Sequence, residues 1–581
     1  MSTLDDVDLH LVDSFAEAER FMHWLGERRD VLAVDTETGG LEWWREPLRL
    51  VTIGDAKDGW ALGWGDWAGV VKDALSRYTN GPVVMHNMKF DTHFLEVNGV
   101  RLDRSRLEDT MLMAHLLDST QSVALKSLAA RMIDPRAGGN QSVLRDAMRQ
   151  QGWTWATIPV DFETYWTYGA LDAVLTARLY ELMKPQVDAQ YRGIYELELA
   201  STMVLTNMER KGLRIDREYV RRQLSAAEAW VAQTCQWVAD TYGVENVNSN
   251  PQLIRALQAD GVALTQRTAK GNLQLDEEVL RSLDHPLAGS VVEIRKVAKV
   301  ANSYFKNFLE MADGDVLHPS VHPVGARTGR MTVTGPALQT LPRGPVVRDA
   351  VIPRDGSRLV LADFDQVEMR VFAHFANEQG MIEAIRSGVD LHTYVCRELY
   401  GIPADQAPPR EKRQITKNAN FAKVYVAGVA TFARTAGIPE NDARAFLAGY
   451  DQRFPGVRQF HAAVQQLAQQ RAATDGGAYV TTPFGRRHHA PADKAYKLVN
   501  ALIQGTCADL LKQKLVELDA AGYGDAMLLP IHDEVIFDVT AEDALAAKDE
   551  IEHVMGERER FSVPLSVHAE VVERWGDTYR D

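Results

Sequence analysis

Cysteine is nearly absent from this chain. Only Cys235, Cys396 and Cys507 occur among 581 residues, far apart in sequence. That excludes a disulfide framework and a thiolate metal site, and it points to a reducing compartment. An export signal is missing too, because the opening MSTLDDVDLH has neither a basic start nor an apolar run. No apolar stretch reaches the ~18 residues that a membrane span needs. Positive charge is in deficit: the formal net charge is -16. This argues against a protein that coats nucleic acid nonspecifically. Nucleic acid as a substrate is still allowed, since metal-binding carboxylates add negative charge and phosphate contacts need only a local basic surface. Two such surfaces are present, Arg295, Lys296, Lys299 and Lys306, and then Arg410, Lys412, Arg413, Lys417 and Lys423. There is no internal repeat and no long low-complexity tract.

What is present is an ordinary globular composition, 45% hydrophobic and 25% charged. The length exceeds what one core supports, so two or more domains are expected. The first 190 residues read as an α/β unit. VLAV at 31–34, LRLVTIGD at 48–55 and PVVMHN at 82–87 are predicted strands, and 162–182 has helical periodicity. From about 195 to 310 the chain reads mostly helical. The Lys and Arg residues of its last helix suit either a solvated face or a grip on a nucleic-acid backbone. A larger mixed unit follows from 315 to 581, with predicted strands at 358–364 and 532–539 and a predicted helix over 411–428.

Two sets of acids carry the chemistry. In VDTET, Asp35 and Glu37 are two apart on a strand and point the same way. Asp91 follows Asn87 by four residues, and Asp172 follows Tyr168 by four on a predicted helix, so the last two share a face. Four converging carboxylates repel one another unless cations sit between them. Hard divalent ions held through oxygen solve that problem, and a pair of them can drive phosphodiester hydrolysis. Tyr168 beside them is suited to orienting the attacking water. The ordered set resembles the three exonuclease motifs of the DEDDy proofreading family. Asp35 and Glu37 match the first motif, Asn87 and Asp91 the second, and Tyr168 and Asp172 the third.

The second set is Asp363, which ends RLVLADF, and Asp533, with Glu534 next to it in LLPIHDEVIF. A carboxylate beside such apolar strands is costly without a partner. Metals shared by Asp363 and Asp533 would remove the cost and could carry nucleotidyl transfer. Between them, Arg413, Lys417, Phe421 and Tyr425 recur every four residues. Each step drifts only about 40° around a helix, so they form one slanting stripe. Two cations followed by two aromatics suit a triphosphate followed by a base.

Here the chain resembles family A DNA polymerases, the bacterial DNA polymerase I class and its phage relatives. DFDQVEMR at 363–370, RQITKNANFAKVY at 413–425 and IHDE at 531–534 look like motifs A, B and C. ARTGRM, LQTLP, DLHT, RFPGV and NALIQGTCAD match as well, so the resemblance covers nearly the whole chain. It implies a multidomain α/β protein, a ribonuclease H-like exonuclease domain (1–190) followed by a right-hand polymerase. The thumb would be 195–310, the palm 315–370 with 500–581, and the fingers 371–499. By the same resemblance Asp363 and Asp533 bind the catalytic metals, Mg2+ with Mn2+ as a substitute, two ions in each active site. Arg413, Lys417 and His392 hold phosphates, and Phe421 and Tyr425 pack near sugar and base. Glu368 crowds a ribose 2′-hydroxyl. Arg330, Asn500, Gln504 and His532 contact primer or template. Implied partners are primer–template DNA, deoxynucleoside triphosphates and replisome proteins, with no membrane, for a cytoplasmic monomer (host cytoplasm if phage-encoded).

Three positions depart from the family pattern. Asp365 stands where serine is common, YVAG replaces the usual tyrosine–glycine pair, and Tyr496 stands where bacterial members have arginine. Too few residues precede Asp35 for an N-terminal 5′ nuclease domain, which suits a phage-encoded replicative enzyme and leaves a bacterial or processed one open. Two rivals are disfavoured. An exonuclease with a merely DNA-gripping C-terminal unit does not need Asp363, Asp533 or the stripe. A single-subunit RNA polymerase does not fit Glu368, Phe421 and an attached exonuclease.

Overall fold

The computed structural model describes residues 4–27, 30–267, 271–474 and 477–580. Residues 1–3 of the opening segment lie outside the described residues. The N-terminal unit is built on a six-stranded sheet: β1 (Asp8–Val12), β2 (Leu32–Thr38), β3 (Leu48–Gly54), β4 (Asp58–Gly63), β5 (Val83–Met85) and β6 (Leu107–Asp109). Their order is β1-β4-β3-β2-β5-β6. The β2–β3 and β3–β4 pairs are antiparallel, whereas β1–β4, β2–β5 and β5–β6 are parallel. The three expected strands are β2, β3 and β5. Strands β1, β4 and β6 were not expected from sequence; they read DLHLV, DGWALG and LED, too short or too polar to announce themselves.

The Glu163–Gln190 helix lies across β2, β3 and β4, and small residues let it approach closely. A Cβ on Gly169 of this helix would stand 3.3 Å from Glu37 Cγ, and one on Gly59 of β4 would stand 2.4 Å from the Ala170 carbonyl oxygen. Glycine at both positions brings the helix bearing Tyr168 and Asp172 down onto the strand bearing Asp35 and Glu37.

The next helix, Arg192–Lys211, joins the two halves of the protein. Toward the N-terminal unit, Lys89 Nζ and His93 Nε2 reach the Glu209 carboxylate at 2.5 and 2.7 Å, all three buried. Toward the C-terminal unit, fully buried Glu198 pairs with Arg486 and takes a 2.6 Å bond from Lys512, and Arg486 also meets Asp509 at 2.7 Å. Charges this deep persist only in mutual pairing. Beyond this helix, Arg217–Tyr242, Asn250–Ala259 and Pro286–Val300 form a helical lobe with its own apolar core.

The C-terminal unit is centred on an antiparallel sheet of four strands, in the order Met527–Ile531, Glu534–Thr540, Ser357–Phe364, Val567–Val572. Seven helices between Val367 and Thr474 and a hairpin (Ala478–Thr481, Arg487–Ala490) stand between its first strand and the long Lys497–Leu518 helix. The helix expected over 411–428 runs instead over Arg410–Val424. It stops because Val426 takes φ 50, a left-handed conformation that a β-branched residue enters only under strain. This is the local form of the YVAG departure.

The glycine contact gives a test. Gly59→Ala forces a methyl group into the Ala170 carbonyl, and overpacking of this kind costs about 1–3 kcal/mol. Excision of a single-stranded primer is expected to fall while templated extension persists, with the loss read by thermal melting alongside both assays.

Candidate active sites

On β2, Asp35 and Glu37 face one side of the sheet, and the helix above lowers Asp172 onto the same spot. Ligand oxygens of these three residues all lie within 4.8 Å of one another. Asp91 enters from the Met88–Val97 helix and is buried. The Thr36 backbone N–H donates to its Oδ1 at 3.0 Å and the Thr36 hydroxyl at 2.6 Å. That helix begins at Asn87, whose φ is 68, and Asp109 accepts the N–H groups of Asn87 and Met88. Tyr168 is buried one turn before Asp172. Asp35, Glu37 and Asp172 thus share one spot, with Asp91 and Tyr168 close enough to exchange charge effects with them.

Crowding has an electrostatic cost. Burial, then the charges of Asp91, Asp172 and Glu37, lifts Asp35 well above the usual carboxylate range. Burial and the Asp172 charge lift Glu37 to about 8. Burial lifts Asp91 to about 7 against the two Thr36 hydrogen bonds. Burial also raises Asp172, with Lys126 opposing it. Lys126, from the Leu125–Met132 helix, ion-pairs with Asp172 and lies 4.2 Å from the Tyr168 ring centroid. Sequence reasoning missed it, because a lysine in ALKSLA carries no spacing that ties it to acids 46 residues away. The oxygen-only donor set fits hard divalent cations.

The second centre stands at the end of the four-stranded sheet. Asp363, near the end of its strand, pairs in register with Glu534 on one side and His568 on the other. Asp533 lies not on a strand but in the tight turn His532–Asp533, where His532 has φ 54. Burial, Asp533 and Asp365 push Asp363 up to about 6, and burial raises Asp533 against the pull of Arg330. Arg330 ion-pairs with Glu368 and stands 3.9 Å from Asp533. Gln504 donates to the Tyr425 hydroxyl at 2.9 Å, and that hydroxyl lies 3.5 Å from Glu368. His532 Nε2 meets the Gln339 carbonyl at 3.1 Å, and Asn500 Nδ2 is buried without a hydrogen-bond partner. Arg330, Gln339, Cys507, His532 and Asp533 line a cavity of about 160 Å³.

The rest of the stripe lies further along the Arg410–Val424 helix. Arg413 donates to Asp390 at 2.9 Å and to Thr393 at 3.1 Å. Asp390 also takes Gln366 Nε2 at 2.7 Å. Burial works against its ionisation, but bonds from Thr393, Gln366 and Arg413 hold it down to about 2. His392 is buried, shares a 2.8 Å hydrogen bond with Asn420 and lies 5.8 Å from Phe421, ring to ring. Burial lowers its ring to about 4. Tyr425 caps the helix rather than continuing it. Asp365 accepts from the Ser566 hydroxyl at 2.6 Å and stands 3.7 Å from Arg370, so the extra acid of this motif is engaged. Tyr496 is exposed just before the Lys497–Leu518 helix. Of the first basic group, Lys296 and Lys306 pair with Glu293 and Glu310, and Arg295 donates to the Val247 carbonyl.

Two acidic clusters in two units, one over β2 and the other at the end of the four-stranded sheet near a cationic helix, suit a two-centre enzyme of phosphodiester chemistry. Comparison with known proteins agrees. Residues 217–577 match the model of DNA polymerase family A, and residues 9–188 match a 3′→5′ exonuclease model. The DNA polymerase of Mycobacterium phage L5 is 30% identical over 99% of this chain and 98% of its own length. DNA polymerase I of Chloroflexus aurantiacus is 29% identical over 85% of this chain and 55% of its own. A solved structure, the POL domain of Pol1 from M. smegmatis in complex with DNA primer-template and dNTP, shares the fold. Its TM-score is 0.77 at 23% identity, over 98% of this chain and 99% of that one. The chain belongs to DNA polymerase family A and carries a 3′→5′ exonuclease unit ahead of the polymerase. Its activities are template-directed DNA synthesis and 3′→5′ exonucleolytic proofreading. Among the described residues no helix is long and apolar enough to cross a membrane.

The raised carboxylates at the first centre set a pH dependence. A carboxylate whose folded pKa is raised binds more protons folded than unfolded, so it stabilises the fold least once pH has risen through the folded value. For Glu37 and Asp91 that loss extends to about pH 7–8. A divalent cation requires the same groups ionised and relieves their repulsion. Mg2+ is therefore expected to raise the melting temperature more at pH 8 than at pH 6, and an equal rise at both values would contradict this reading.

Proposed function

We propose that Asp35, Glu37, Asp91 and Asp172 hold the divalent cations of excision, with Tyr168 orienting the attacking water, and that Asp363 and Asp533 hold those of synthesis. The observation that carries this reading is the gathering of one acidic set over β2 and of the other at the end of the four-stranded sheet, in separate units. Mg2+ is the expected ion, with Mn2+ able to replace it. When bound, such ions activate water or a primer 3′-hydroxyl and neutralise the leaving oxygen. The other groups bind and orient. Arg413 and Lys417 take the phosphates of a deoxynucleoside triphosphate, and Arg413 exchanges Asp390 and Thr393 for phosphate oxygens. His392 adds a phosphate contact. Phe421 lies against the sugar and Tyr425 near the base, the latter steadied by Gln504. Glu368, clamped by Arg330, bars a ribose 2′-hydroxyl by bulk and by an unmet polar contact. Arg330, Asn500, Gln504 and His532 face primer or template DNA.

The thumb corresponds to the helical lobe within 195–310, the palm to 315–370 with 500–581, and the fingers to 371–499. Residues 1–190 excise. Similarity to a phage polymerase along nearly its whole length supports a role in phage or bacterial DNA replication.

Separable centres have separable losses. Asp363→Ala or Asp533→Ala is expected to abolish primer extension and leave primer degradation, and Asp35→Ala the reverse. Near-normal extension by either of the first two variants would remove them as ligands of the polymerase metals. A second test concerns Phe421, which has no hydroxyl to replace a missing 3′-hydroxyl contact. Phe421→Tyr, made in the Asp35→Ala chain so that excision does not mask insertion, is expected to improve dideoxynucleotide use strongly and leave deoxynucleotide use little changed. An unchanged ratio of kcat/KM values would mean that Phe421 does not face the sugar.

A further inference from the structure

The excision centre contains a cation, Lys126, that belongs to none of its motifs. Lys126 stands in the first turn of the Leu125–Met132 helix, which packs on the helix carrying Tyr168 and Asp172. Its ammonium is ion-paired with Asp172 Oδ1, lies 4.2 Å from the Tyr168 ring centroid, and belongs to a side chain only 13% exposed. A largely shielded ammonium held at once by a carboxylate and an aromatic face is restrained. Its field reaches Asp35 and Glu37 as well as Asp172.

Charge balance says what such a cation is for. Four carboxylates and two divalent cations cancel. A bound phosphodiester adds one negative charge, and Lys126 supplies the positive charge that offsets it. Geometry says how it acts. The ammonium touches both members of the Tyr168–Asp172 pair, so it restrains the ring and the carboxylate together.

We propose that Lys126 is a positioning residue for excision, seated between Asp172 and the Tyr168 ring so that the tyrosine hydroxyl and the carboxylate keep one arrangement while the strand end is bound. This rests on the reading of the four acids as the excision centre. Lys126 does not ligate metal and does not touch the reacting bond. It stays in place when the cations arrive, because the phosphodiester that comes with them renews the need for its charge.

Lys126→Met keeps nearly the same unbranched side chain but removes the charged ammonium that lies over the ring, whereas Lys126→Arg keeps the charge. Single-turnover excision of a single-stranded oligonucleotide at saturating Mg2+ is expected to slow about 10- to 100-fold in the Met variant, the usual effect of losing a group that orients a metal ligand. The Arg variant is expected to recover most of that loss. Mn2+ binding, followed by electron paramagnetic resonance in chains that also carry Asp363→Ala and Asp533→Ala, is expected to be at least as tight in the Met variant as in its parent, since a neighbouring cation has been removed. Purely structural support would instead weaken Mn2+ binding and excision together, and that result overturns the proposal. So does excision by Lys126→Met at the parental rate. Asp35→Ala, assayed in parallel, separates the two levels: if it too excises normally, the reading of the carboxylates fails rather than the role of Lys126. Primer extension by Lys126→Met reports that the chain has folded.

Discussion

Like charge gathered on apolar ground is the constraint on which the rest of this structure depends. At the first centre Asp35, Glu37 and Asp172 bring their oxygens within 4.8 Å of one another, with Asp91 adding its charge from the neighbouring helix. At the second, the Asp533 charge raises Asp363, which stands exposed where its otherwise buried strand ends. Folding alone would not hold such groups together, because repelling neighbours are brought close and most of the groups lose water. They persist because strong packing elsewhere over-determines their positions. Gly59 and Gly169 let a helix press onto a sheet at the first centre, and three neighbouring strands pin Asp363 and the Asp533 turn at the second. In the function proposed above, divalent cations relieve this repulsion and supply the chemistry.

Ion pairing of another kind joins the two centres. The Arg192–Lys211 helix contributes Glu209 to a buried cluster with Lys89 and His93, and Lys89 and His93 lie on the helix that carries Asp91. About three turns before it, Glu198 enters a second buried cluster with Arg486, Lys512 and, through Arg486, Asp509. One helix is thus anchored by charge to the exonuclease on one side and to the polymerase on the other. Removing one partner from such a cluster leaves a buried charge uncompensated, at a cost of about 3–5 kcal/mol. The two catalytic units therefore share a rigid joint, not a loose linker.

Much of this was legible in the sequence, for identifiable reasons. Strand alternation put Asp35 and Glu37 on one face, and helical spacing put Tyr168 over Asp172. Arg413, Lys417, Phe421 and Tyr425 were visible as a stripe for the same reason. What stayed hidden depends on contacts between distant segments or on single torsion angles. Lys126 is joined to Asp172 only by tertiary packing, as is Thr36 to Asp91. Asp390 was seen only as part of DLHT, and its hold on Arg413 and Gln366 needed the folded chain. The helix was expected to continue past Tyr425, because nothing in YVAG announces that Val426 takes φ 50.

Two independent carboxylate sets in one chain, each expected to take its own divalent cations, should bind metal separately. Counting Mn2+ bound per chain tests this most directly. The parent is expected to show two classes of site, with Asp35→Ala depleting one and Asp533→Ala depleting the other, and neither substitution changing the affinity of the class that remains. Loss of all bound Mn2+ on either single substitution, or no loss on both, would contradict the account.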